Sequence, residues 1–129
     1  MFTERKILRK ILRRMRGEQA RHFSAILGWR DLEESVNSQF SPTHPFTALV
    51  PDLSGVDPDD AFSTIPYEKG STFLWYLEEL VGGSAKFKPF LRAYYEHFMY
   101  KSFTTDQFKS FFLSYFSSNL AISSIDWDT

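Results

Sequence analysis

Ile65-Pro66-Tyr67-Glu68-Lys69-Gly70, preceded by Asp57-Pro58-Asp59-Asp60-Ala61-Phe62, marks the point where the chain turns from irregular to helical. Proline suits the first turn of a helix because its missing N–H has no intrahelical partner there anyway. Beyond it Phe73, Leu74, Leu77, Leu80 and Val81 fall on one face of a 3.6-residue period, and Gly82-Gly83 ends the run. Ser84 is the expected N-cap of a next helix, with Phe87, Leu91, Tyr94 and Phe98 as its apolar stripe. Thr104 and Gln107 have the spacing of a capping box, so a last helix should carry Phe108, Phe111, Phe112, Tyr115 and Phe116. Residues 118–129 read as a polar connector.

Upstream of the strip, Pro45, Pro51, Gly55 and Pro58 punctuate a segment without sustained period, and Ser41-Pro42-Thr43-His44-Pro45 reads as a turn. A helical stretch is expected from Glu18 to Leu27, and a separate short helix from Trp29 to Val36 after Gly28. In residues 3–16, Ile7, Leu8, Ile11, Leu12 and Met15 give an amphipathic helical pattern with a basic opposite face. No hairpin, repeat or low-complexity tract is evident. The fold class is all-α.

The chain has 129 residues, 43% hydrophobic and 24% charged, which suits one globular domain. Fourteen Phe, six Tyr and three Trp need a large core or a large interface, since a buried Phe-sized group contributes roughly 1.5–3 kcal/mol. Without cysteine there is neither a disulfide nor a thiolate metal site, which agrees with a cytoplasmic location. No stretch approaches the ~20 apolar residues of a membrane span. The N-terminus shows no apolar leader core. Residues 1–16 hold seven of the 15 bases and only one of the 16 acids, so the rest of the chain is acidic. That balance disfavours nucleic acid as a partner, and the basic face of residues 5–16 reads as a solvated helix face rather than a membrane contact.

His22, His44 and His97 are scattered, and none has a second histidine four residues on. The HExxH pattern that puts two imidazoles and a general base on one helix face is absent, so this chain should hold no metal alone. Nor is there a GxSxG elbow, and Gly82-Gly83 follows a helix rather than a strand, so it is a helix stop and not a phosphate loop.

The order of short runs is more specific. Gly28-Trp29-Arg30-Asp31-Leu32, Thr43-His44-Pro45-Phe46-Thr47, Leu53, Asp57-Pro58-Asp59 and Pro66-Tyr67-Glu68-Lys69-Gly70 resemble the zinc aminopeptidases of the leukotriene A(4) hydrolase and aminopeptidase B group. Tyr76-Leu77-Glu78, Gly82-Gly83, Tyr100-Lys101-Ser102, Thr104-Thr105-Asp106 and Asp126-Trp127 continue the likeness along essentially the whole chain.

The resemblance implies that residues 1–129 are a partial peptidase catalytic domain: the C-terminal helical half of a thermolysin-like domain, cut at both ends. The HExxH half and the family's C-terminal helical domain are then absent. Zinc is the family's cofactor, and none is expected on this chain alone. Glu4 matches a glutamate that backs the metal ligands without touching the ion. Tyr67 matches the catalytic phenol that donates to the oxyanion of the tetrahedral intermediate. Asp59, Phe62, Leu53, Pro58 and Ala61 match substrate-pocket positions, Asp59 suiting a basic N-terminal side chain. Phe62 stands where the leukotriene A(4) hydrolases have a pocket tyrosine, which points to peptide rather than lipid-epoxide substrates. The implied activity is removal of N-terminal residues from peptides, with this fragment inactive by itself. The alternative is a non-catalytic helical interaction or scaffold module. Either way, apolar helix faces left exposed would call for a packing partner.

Overall fold

The computed structural model describes residues 17–127. Glu4, the basic helical stretch and its apolar stripe lie outside the described residues. Among the described residues every regular element is helical, as the periodicity implies. The chain divides into two compact units, Met1–Thr72 and Phe73–Thr129.

In the first unit, α1 runs Glu18–Glu34 and passes into a π turn, Ser35–Gln39. The sequence suggests two helices parted at Gly28; the structure has one. A single glycine costs a helix about 1 kcal/mol, less than nucleating a second helix would. Ala20, Gly28 and Leu32 are buried, while Phe23, Ile26 and Trp29 are more than half exposed. A 3₁₀ turn, Pro45–Thr47, follows, and residues 48–64 form a string of turns. Helix α2, Ile65–Val81, opens in this unit and continues into the second.

Two glycines end α2. Gly83 N–H donates to the Glu78 carbonyl (2.8 Å) and Gly82 N–H to Glu79 (3.1 Å), the paired bonds of a Schellman motif. Gly82 has φ +103° and Gly83 φ +87°, values L side chains rarely adopt. The Gly83 carbonyl then accepts from Lys86 and Phe87, so Gly83, not Ser84, is the N-cap of α3, Ser84–Phe98. Ser84 is already helical and makes no capping bond. Helix α4, Thr105–Tyr115, starts with the expected box: Gln107 N–H donates to Thr104 Oγ1 (3.3 Å) and Thr104 N–H to Gln107 Oε1 (2.8 Å).

The second unit's core gathers Leu77, Val81, Phe87, Phe90, Phe112, Phe116 and Ile125. Phe90, at 0% exposure, sits at its centre; Leu91, which the stripe placed inward, is 41% exposed. Pro89 lies inside α3 and removes one of its backbone bonds. Residues 118–127 are more than the connector expected there. They form a 3₁₀ turn at Leu120–Ser124, insert Ile125 into the core, and lay Trp127 edge-on to Phe73 and Phe112. Lys109 Nζ covers the Trp127 ring at 5.0 Å. Nine aromatic side chains thus pack in or against one core, while nine others among the described residues, Phe62 and Tyr100 included, are exposed.

Candidate active-site strip

The strip belongs to the first unit and is built from tight local turns. The rings of Phe40, His44 and Phe46 cluster at centroid distances of 5.0, 4.8 and 5.9 Å. His44 caps the Pro45–Thr47 turn, its Nδ1 accepting from Phe46 N–H at 3.2 Å. That nitrogen is occupied structurally and unsuited to a metal ion. Thr47 Oγ1 donates to the His44 carbonyl (2.7 Å), and the Thr47 carbonyl accepts from Lys69 Nζ (3.2 Å). A Cβ on Gly70 would stand 3.7 Å from Leu49 Cδ1, in ordinary contact, so the start of α2 lies beside residues 47–49.

Residues 52–62 are shaped by carboxylates bonding to backbone two residues on. Asp52 Oδ1 accepts from Ser54 N–H (2.9 Å), and Asp57 Oδ1 from Asp59 N–H (3.0 Å). The Ser54 bonds hold the Asp52 carboxyl below its ordinary pKa. Leu53 caps its own turn through Val56 N–H (3.1 Å), and the Asp59 carbonyl accepts from Phe62 N–H (3.4 Å). The buried Ser63 accepts from Ile65 N–H (3.2 Å), and Ile65 is fully buried. The Thr64 carbonyl takes the first helical bonds, from Tyr67 N–H (3.1 Å) and Glu68 N–H (3.0 Å).

Within this frame Leu53, Pro58, Asp59, Phe62 and Tyr67 are exposed, and Ala61 is half-buried. Phe62 and Tyr67 are 71% and 68% exposed, so neither ring serves the fold's interior. Among the described residues the Tyr67 hydroxyl has no hydrogen-bond partner. A hydrogen-bonded helix start therefore carries an exposed phenol, and the turns before it carry exposed apolar and acidic side chains. The phenol can donate to an anion brought to it, and Asp59 can meet a cation.

Two contributors escape sequence reasoning. Ser35 Oγ and Thr64 Oγ1 are 2.6 Å apart, and Gln39 Nε2 donates to the Phe62 carbonyl at 2.9 Å. These bonds span 29 and 23 residues, and the run Ser35-Val36-Asn37-Ser38-Gln39 carries no motif that announces them.

A profile of the peptidase family M1 domain matches residues 1–129. The chain belongs to the M1 peptidase family. It is 50% identical over 125 residues to leucine aminopeptidase 2 of Emericella nidulans, covering 94% of this chain and 20% of that protein. It is 48% identical over 120 residues to leukotriene A-4 hydrolase of Xenopus laevis, covering 92% and 20%. The structure of native yeast LTA4 hydrolase superimposes with a TM-score of 0.84 at 44% identity, over 94% of this chain and 20% of that one. The all-helical fold is thus that of a helical portion of an LTA4 hydrolase-like catalytic domain. The M1 chain spans about a fifth of the length of the curated relatives it matches.

Among the described residues no three His, Cys, Asp or Glu side chains come together as a metal ion requires. These residues do not fit the family's zinc. None of their helices is long and apolar enough to cross a membrane.

Proposed function

We propose that this chain carries the tyrosine-bearing part of an aminopeptidase site, and that its Tyr67 hydroxyl is the oxyanion donor for a peptide substrate. One observation supports this above the rest: the phenol leaves a hydrogen-bonded helix start, exposed and without a partner among the described residues, in a chain 50% identical over 125 residues to an aminopeptidase. A preorganised donor acts by stabilising charge that develops in the transition state. Asp59 and the apolar group Leu53, Pro58, Ala61 and Phe62 would contact the substrate's N-terminal residue. The chain alone is expected to hydrolyse nothing. A cytoplasmic location is part of the same proposal, resting on the cysteine-free composition.

The test is a hybrid: Emericella nidulans leucine aminopeptidase 2 with its matching 125-residue stretch replaced by this chain. Tyr67→Phe in that hybrid should lower kcat on leucyl-naphthylamide by about 10²–10³ with KM little changed. A kcat within about threefold of the parent hybrid refutes the role. Comparing arginyl- with leucyl-naphthylamide decides what Asp59 selects. If Asp59→Asn leaves their ratio of kcat/KM unchanged, Asp59 does not read the substrate's charge.

A further inference from the structure

We infer that the π turn Ser35–Gln39 is the positioning element for Tyr67, fixing the direction in which the phenol leaves its helix. This rests on the reading of Tyr67 as an oxyanion donor, a task that needs its oxygen held to within about 0.5 Å. The tyrosine cannot hold itself: its ring is 68% exposed and, among the described residues, its hydroxyl is unpartnered. Its direction therefore follows the backbone of the turn it stands on, which hangs from the Thr64 carbonyl through the Tyr67 and Glu68 N–H groups.

What steadies Thr64 comes from elsewhere in the sequence. The chain before it is a series of turns bonded over two or three residues, too local to fix where the helix starts. Ser35 Oγ meets Thr64 Oγ1 at 2.6 Å, and Gln39 Nε2 holds the Phe62 carbonyl at 2.9 Å. The two anchors stand four residues apart, on one side of a helical turn. The wider winding shows in the Phe40 N–H, which donates to the Ser35 carbonyl (3.3 Å) five residues back. Such turns take up well under 1% of residues and concentrate at functional sites. Here the turn ends α1 and delivers both polar side chains to the strip. Lys69 and Gly70 meet the segment before the strip through Thr47 and Leu49. Ser35 and Gln39 are positioning residues: they act on the phenol only through Thr64 and Phe62.

The experiment is amide hydrogen exchange on the ¹⁵N-labelled chain with Ser35→Ala and Gln39→Ala combined. Both anchors lie at the surface, so together they should slow local opening by about fivefold. The double variant is expected to exchange about fivefold faster at Tyr67 and Glu68, with Phe112 and Phe116 unchanged. Ser35→Thr, which keeps the hydroxyl, should restore most of the Ser35 share. Unchanged rates at Tyr67 and Glu68 overturn the proposal, as does acceleration spread equally to Phe112, or a parent chain whose Tyr67 and Glu68 amides are unprotected. In the hybrid enzyme Gln39→Ala should lower kcat and leave KM, and should add nothing on top of Tyr67→Phe. Additive losses there overturn the proposal. A harmless Tyr67→Phe instead removes the catalytic reading, while the exchange result stands by itself.

Discussion

Replacing Phe90 by alanine should unfold the second unit while leaving the first as it is. Phe90 is fully buried, and its ring lies 5.3–5.4 Å from those of Phe87, Phe112, Tyr115 and Phe116 and 5.9 Å from Phe111. Truncating such a ring removes its transfer free energy and leaves a void that the neighbours fill only in part, at about 3–5 kcal/mol. The edge-on approach to Phe112, at an interplanar angle of 87°, is of the kind that contributes about 0.5–1.5 kcal/mol beyond burial. A whole domain is commonly stable by only about 5–15 kcal/mol, and one unit of this chain by less, so the loss consumes most of what is there. Urea unfolding followed by near-ultraviolet circular dichroism reads the packed aromatic core directly. Tyr95→Ala, on the same helix but 67% exposed, is the control and should stay within about 0.5 kcal/mol. If Phe90→Ala costs less than about 1 kcal/mol, or no more than Tyr95→Ala, then Phe90 does not centre the core.

Gly83→Ala should cost about 1–3 kcal/mol, because φ +87° with ψ −177° is a region essentially reserved for glycine, although a Cβ there meets nothing within 4 Å. Thermal melts that do not move would show that the α2–α3 link relaxes freely. Burial raises the Tyr94 phenol above its ordinary value of 10.0. Its neutral form is the one the fold favours, so stability is intact below pH 10 and falls as pH climbs from there through the raised value. Titration of tyrosinate absorbance should show a late-ionising component that Tyr94→Phe removes; an unaltered curve would contradict the assignment.

Where sequence and structure agree, the cause is local. Pro66 opening α2, Gly82-Gly83 closing it and the Thr104–Gln107 box each act within a few residues, so composition and spacing suffice to read them. The differences arise where tertiary burial outweighs the local signal. Ser84 is a better cap by type than Gly83, yet the paired bonds that end α2 need positive φ at both glycines, and Gly83 is then already placed to start α3. Leu91 fits a four-residue stripe as well as Phe90 does; only the rings of α4 decide that Phe90 faces inward. Ile125 and Trp127 sit in a serine-rich tail whose polarity hides that it closes the core.

The strip follows the same division. Tyr67, Asp59 and their apolar neighbours can be proposed from the sequence because they are close along it and their order resembles one family's. Ser35 and Gln39 cannot, because a serine and a glutamine at a helix end have no spacing rule that points across more than twenty residues. The residues proposed to touch substrate are thus close enough together to pick out in the sequence. Those proposed to aim Tyr67 are dispersed, and they become visible only through the hydrogen bonds they make. For this M1 chain, Ser35 and Gln39 are therefore the residues whose alteration should disturb Tyr67 without removing it.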